Sequence, residues 1–205
     1  MKLSCDSLDL SDALTQVGKA LPLKKVMPIL NGIKLKAEGD TLTLTATDLE
    51  LSIEKKIKAD IFTEGETVIL GKYFTEYVRK IDKEDVIIDT SGENTLKLTY
   101  GENNGYIQTM EADEYPAFKN VNDENSFYIV KKELKNLIEK IIFCTASEDN
   151  RPTLKGCSIE ISDNKIIGVA SDGYRLAYCK KEIEYGGADI KIIVPCLLYT
   201  SDAAD

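Results

Sequence analysis

Hydrophobic and polar positions change period several times along the chain, and each change predicts an element. Met1 to Asp6 alternates as a short strand does. Leu10, Ala13, Leu14, Val17 and Leu21 then fall at the spacing that gathers apolar side chains on one face of a helix, with Ser7 as the expected N-cap. The period returns to two in Ile33, Leu35 and Ala37, and in Leu42, Leu44 and Ala46 after the turn Glu38-Gly39-Asp40. A third run holds Leu49, Leu51 and Ile53. Lysines, threonines and glutamates fill the alternate positions, so these read as antiparallel strands with one wet face. The pattern restarts with a strand at Thr67 to Leu70 and a helical stripe of Phe74, Tyr77, Val78 and Ile81 on a helix over 72–83. Strands follow at 86–88, 96–100 and 106–110, joined by hairpin-type turns at 91–94 and 102–105. Residues 1–110 therefore spell strand, helix and three strands, written twice.

Residues 111–126 carry five acids and a proline without a clear period, as a linker or an extended domain edge does. A strand at Phe127 to Val130 and a helical stripe of Leu134, Leu137, Ile138 and Ile141 on a helix over 131–140 open a further copy. Pro28, Leu30, Gly32, Ala46 and Asp48 recur as Pro152, Leu154, Gly156, Ala170 and Asp172, each 124 residues later. Identical residues of five types at one offset indicate two copies of one domain. The second copy reaches its strand at Ile192 to Val194 with roughly 40 residues of the first copy's plan still unmatched. The expected division is a domain over 1–120 and a partial one over 121–205. With open sheet edges, the second is expected to be the less stable. The fold class is α+β, with helices on one face of antiparallel sheets.

Composition narrows the chemistry. The chain has 205 residues, of which 43% are hydrophobic, enough for a substantial core. Its 26 basic residues face 35 acidic ones, a net charge of −9, so a uniformly basic surface for nucleic acid is excluded while a local basic stripe is not. Histidine is absent, which removes every Ser-His-Asp and Cys-His nucleophile and every histidine-ligated metal. Five cysteines, none in a Cys-x-x-Cys pair, read as buried hydrophobes. No apolar run is long enough to span a membrane.

Signals for catalysis are weak. Gly71-Lys72 lacks the rest of a phosphate loop, and Asp48 and Asp172 read as turn caps. Charge is more informative. Lys72, Arg79, Lys80 and Lys83 outnumber Glu76 and Asp82, and Lys131, Lys132, Lys135 and Lys140 outnumber Glu133 and Glu139, an excess of two in each predicted helix. Either these are solvated helix faces, or they line a surface that follows a phosphate backbone. The absence of interleaved aromatic residues argues against stacking on single strands. A β-rich enzyme domain and a protein-binding scaffold without a DNA role remain open alternatives.

Met27-Pro-Ile-Leu-Asn-Gly-Ile and Leu42-Thr-Leu-Thr-Ala-Thr-Asp-Leu-Glu resemble the first domain of the bacterial DNA polymerase III beta subunit, or beta sliding clamp, family. Arg151-Pro-Thr-Leu-Lys-Gly, Ala170-Ser-Asp-Gly-Tyr-Arg-Leu-Ala and Ile192-Ile-Val-Pro resemble its second domain. The resemblance covers residues 1–195 and implies a bacterial cytoplasmic, non-catalytic protein without cofactor, metal or membrane association. Two full-length chains of such a protein close a homodimeric ring around double-stranded DNA without reading its sequence. The ring tethers DNA polymerase III, and that enzyme and the clamp-loader subunits dock through short peptides. By resemblance, Lys24 and Lys72 match basic positions that face DNA; the local basic excess adds Arg79, Lys132 and Lys135 to the expected DNA-facing set, and Glu148, Pro152 and Thr153 stand where some members contact it. Leu154, Ser171, Gly173, Tyr174, Arg175 and Leu176 belong to the peptide pocket. After Pro195 the likeness stops, and Cys196 to Asp205 is expected not to be native sequence.

Overall fold

A computed structural model describes residues 1–22, 27–92, 94–117, 127–147 and 151–195. The chain divides into two compact units, Met1–Lys119 and Asn120–Asp205.

The first unit runs β1 (Lys2–Asp6), α1 (Ser7–Val17), β2 (Gly32–Glu38), β3 (Thr41–Thr47), β4 (Ser52–Lys58), β5 (Asp60–Thr63), β6 (Gly65–Leu70), α2 (Gly71–Val78), β7 (Asp85–Gly92), β8 (Thr95–Tyr100) and β9 (Asn103–Met110). Its strands form one antiparallel sheet in the order β4-β3-β2-β6-β9-β8-β7-β1-β5. The strands at its two ends, β4 and β5, are separated along the chain by Ala59 alone, whose N–H donates to the Asp40 carbonyl at 3.0 Å. One extended run thus borders the sheet at both ends. Leu10, Leu14 and Val17 of α1 and Phe74 and Val78 of α2 share a core with Leu3, Leu35, Leu44, Ile69, Ile88 and Leu96 of the strands. Burying each such side chain stabilises the fold by roughly 1.5–3 kcal/mol.

The second unit repeats this plan: α3 (Lys131–Glu139), β10 (Gly156–Ser162), β11 (Lys165–Ser171), β12 (Leu176–Glu182) and β13 (Ile190–Pro195), in the sheet order β12-β11-β10-β13. β10, β11 and β12 lie 124 residues after β2, β3 and β4 at both ends. Leu137, Ile138 and Ile141 pack on Cys157, Ile159, Ile161 and Ile166. Gly168 permits this, because a Cβ there would stand 2.6 Å from Leu137 Cδ2 and 2.7 Å from Ile141 Cδ1.

Several sequence expectations are corrected. Asp6, not Ser7, caps α1, its carboxylate accepting from Leu8 N at 2.8 Å and Asp9 N at 3.0 Å. Ser7 is buried and donates to the Asp82 carbonyl at 2.8 Å, tying the helix to the chain before β7. α2 ends at Val78; the stripe continues to Ile81 because Lys80 N and Ile81 N bond three residues back in a tighter turn. The run at Leu49 to Ile53 begins as a turn, and its strand starts at Ser52. The strand β5 was not anticipated, since adjacent Ile61 and Phe62 obscure its alternation: Ile61 packs on the core while Phe62 is exposed. The turn expected at 102–105 closes earlier, with Gly101 at φ +50° and Asn103 already in β9. Phe127 to Val130 forms no strand; Tyr128 and Val130 are exposed, and Val130 stands at the N-terminus of α3. The stretch 111–117 packs as an edge. Ala112 and Tyr115 join Ile29, Leu30 and Val68, and the buried Tyr115 hydroxyl donates to the Gly32 carbonyl at 3.1 Å.

Phe74 is a fully buried contact between α2 and the sheet. Phe74→Ala should destabilise the first unit by about 3–5 kcal/mol. Urea unfolding followed by circular dichroism, with hydrogen exchange to locate the loss within 1–117, checks this.

Candidate functional site

The β11–β12 connection is built from its own side chains. Ser171 pairs with Leu176 at the turn end of the hairpin. Asp172 Oδ1 accepts from Tyr174 N at 2.9 Å and Arg175 N at 3.0 Å, and Oδ2 accepts from Arg175 Nε at 2.8 Å. Ser171 Oγ donates to the Arg175 carbonyl at 2.9 Å and accepts from Gly173 N at 3.1 Å. Those two backbone N–H bonds to Asp172, and then the Arg175 side chain, hold the Asp172 carboxyl down at about 2. Arg175 also lies over the Phe143 ring, 5.9 Å from its centroid, a cation–π distance.

Beside this turn is a depression of about 260 Å³ lined by Thr145, Ala146, Ser147, Arg151, Asp172, Tyr174 and Arg175. Of the expected peptide-contacting residues, Tyr174 and Arg175 line it. Ser171 and Gly173 shape the turn without lining it. Leu154 does not line it; it is half-buried in the 3-10 turn Pro152–Lys155, its carbonyl accepting from Ala146 N at 2.9 Å. Leu176 projects at the start of β12, 66% exposed, and Tyr174 is 99% exposed. Arg151, Phe143, Thr145 and Ser147 escaped the sequence reading. Arg151 opens the motif Arg151-Pro-Thr-Leu, so a signal for it was present; the other three carry none.

The basic residues are distributed differently from expectation. With α2 ending at Val78, only Lys72 and Glu76 lie within it, and Arg79 stands at its C-terminal cap. α3 holds three lysines and two glutamates, and α1 holds Asp9 and Asp12 with no basic residue. β4 alone carries Lys55, Lys56 and Lys58 against Glu54. The helices therefore do not concentrate the positive charge. Lys72, Arg79, Lys132 and Lys135 are exposed, and Lys135 lies 3.9 Å from Glu139 on its own helix. On α3, Lys132 and Lys135 occupy the face opposite Leu134, Leu137 and Ile138, which meet the sheet core. Lys24 and Glu148 lie outside the described residues, as does Cys196 to Asp205; Pro152 and Thr153 are exposed. Among the described residues no cluster of histidine, cysteine, aspartate or glutamate has the grouping of a metal site, and no helix is long and apolar enough to cross a membrane.

Since the Asp172 carboxyl sits below the ordinary value near 3.9, its contribution to the turn is complete above about pH 4 and fades as pH falls toward 2. Carboxyl-carbon NMR of Asp172 should report a midpoint near 2. Arg175→Gln should raise that midpoint without restoring the ordinary value, because both backbone donors remain.

Residues 1–119 match the family described as DNA polymerase III beta subunit, N-terminal domain, and residues 128–200 match the central domain of the same subunit. The chain is 29% identical over 185 residues to a beta sliding clamp of Staphylococcus epidermidis, covering 86% of this chain and 49% of that one. It spans about half the length of such relatives. Among solved structures, the DNA polymerase sliding clamp from Bacillus subtilis superposes with a TM-score of 0.93 at 26% identity, covering 100% of this chain and 57% of that one. The DNA polymerase III beta subunit of Thermotoga maritima superposes with a TM-score of 0.86 at 29% identity, covering 96% and 53%. Both units, in order, match consecutive domains of one protein, and the chain belongs to the DNA polymerase III beta subunit family.

Proposed function

We propose that this chain is a section of a DNA sliding clamp, the processivity factor that encircles duplex DNA and tethers a replicative polymerase. The observation that carries the reading is the ordered match of both units to the N-terminal and central domains of the beta subunit. The function is topological and cytoplasmic. It needs no chemical step, so no residue is assigned to catalysis. Residues 1–120 form one clamp domain and 121–205 part of the next. In a chain of the relatives' full length, two copies close the ring. Lys72, Arg79, Lys132 and Lys135, with Lys24, contact phosphates. Leu154, Ser171, Gly173, Tyr174, Arg175 and Leu176 form one side of the surface on which polymerase and clamp-loader peptides dock. Exposure of Tyr174 and Leu176 beside Arg175 supports that assignment, because an apolar anchor needs open surface and a polar rim fixes its orientation.

Binding to phosphates without reading bases has a definite signature. Duplexes of unrelated sequence should bind equally, with affinity falling steeply as salt rises. Replacing Lys72 and Arg79 by glutamine should flatten the log–log salt dependence by about 0.9 for each phosphate no longer neutralised. Fluorescence anisotropy with two duplexes of different sequence checks both outcomes. A clear sequence preference, or an unchanged salt slope, would contradict the DNA-facing assignment.

A further inference from the structure

The chain has two Asn-Gly pairs, Asn31-Gly32 and Asn104-Gly105, and the structure holds them in opposite ways. In such a pair the backbone nitrogen of glycine can attack the side-chain amide carbon of asparagine, since no Cβ hinders the approach. Asn31 is bound against this reaction. Its Nδ2 donates to the Pro28 carbonyl at 3.3 Å, and the Gly32 N–H donates to the Ile29 carbonyl. Gly32 also pairs with Leu70 of β6, and its carbonyl accepts from the buried Tyr115 hydroxyl at 3.1 Å. Asn104, by contrast, is exposed near the start of β9. The Thr99 hydroxyl, on the facing residue of β8, donates to Asn104 Oδ1 at 2.9 Å. Among the described residues β9 meets β6 at Thr109 and Met110 alone, so Asn103 to Gln108 belong to a single ladder, with β8.

We infer that Asn104 is a site of spontaneous modification, at which Gly105 N closes a succinimide on Asn104 Cγ while Thr99 stabilises the oxyanion formed on Oδ1. The N–Cγ bond forms and the Cγ–Nδ2 bond breaks, and the Gly105 N–H proton leaves with Nδ2 as ammonia. Water then adds to one of the two ring carbonyls. Opening at one leaves aspartate; opening at the other leaves isoaspartate, with the main chain routed through the side chain. A hydroxyl on the amide oxygen favours the step because charge develops there. The nitrogen reaches Cγ only when Asn104 leaves the extended conformation, so the strand must open locally. A segment with one ladder and a turn beside it opens at low cost, whereas Gly32 must first lose its ties to Ile29, Leu70 and Tyr115. The consequence falls on β9. Aspartate adds a charge to an already acidic chain. Isoaspartate lengthens the main chain beside Gly105, which packs so closely under Tyr77 that a Cβ would overlap the hydroxyl, and the pairing of 104–108 with β8 is lost.

The test is peptide mapping by mass spectrometry of the 205-residue chain, incubated in mildly alkaline buffer with and without urea. Each event exchanges an amide for an acid, and the aspartate and isoaspartate peptides separate by retention. In the folded chain Asn104 should be converted about tenfold faster than Asn31. In urea the two should react alike, since only local sequence then acts. Thr99→Val keeps a strand-forming side chain and loses the donor. It should slow Asn104 by about threefold to tenfold and leave Asn31 unchanged. Thr99→Ser, which keeps the hydroxyl, should react as the unaltered chain does, and circular dichroism checks that both variants fold. Chains carrying isoaspartate should lose hydrogen-exchange protection over 104–108 and keep it in β2. Equal rates in the folded chain, or a faster Asn31, would overturn the inference. So would a Thr99→Val rate equal to or above that of the unaltered chain, because the hydroxyl would then only tether the side chain. A difference that persists unchanged in urea would overturn it as well, since the fold would then play no part.

Discussion

Neither half of the first unit can cover its own helix, and the remainder of the structure follows from how the halves exchange strands. β1 lies between β5, from its own half, and β7 from the other; β6 lies between β9 and β2 in the same way. Each opening strand is thus held by one partner from each half. A helix with three strands would leave a free edge and half an apolar face in water. Two such sets joined by reciprocal pairing give one sheet that flanks both helices, with one continuous run from Ser52 to Thr63 at its two ends.

The same constraint positions the candidate site. In the second unit β11 pairs with β12 along its whole length and with β10 over Lys165 to Val169, and Gly168 lets α3 sit directly on β11. Register is therefore fixed up to Ser171 and Leu176, and the turn beyond them starts from a rigid base. Side chains on such a base can be aimed. Asp172 aims Arg175, and the short 3-10 turns that carry Phe143 and lead into β10 bring a ring and Arg151 to the same place. The first unit has the base and the turn, but Leu51 in place of the arginine. The difference between the two hairpin ends lies in side chains.

The repeat was legible because period-2 alternation and a fixed offset are properties of sequence alone, and β10 to β12 fall where the offset places them. Helix ends were less legible. The apolar stripe through Ile81 continues past Val78 because a tighter turn keeps Ile81 buried, so periodicity overran the helix and assigned it basic residues that lie beyond it. Ser7 was read as a cap because serine commonly is one, whereas the neighbouring Asp6 offers a charged acceptor and Ser7 is needed in the interior. At the site, the turn residues could be read from Asp172-Gly173 and the family motif. Phe143, Thr145 and Ser147 could not, since they reach the depression only through tertiary packing.

The central claim, that these two units are consecutive sections of a ring around DNA, has a topological test. Residues 1–195 would replace the matching part of the Bacillus subtilis clamp, and the chimera would be loaded by that organism's clamp loader on a nicked circular plasmid. Gel filtration would be run before and after the plasmid is cut. The account predicts that the chimera travels with the circle and is released when the DNA is made linear, since a ring slides off an end. A folded chimera that never stays with the circle, or one that remains bound after cutting, would contradict it.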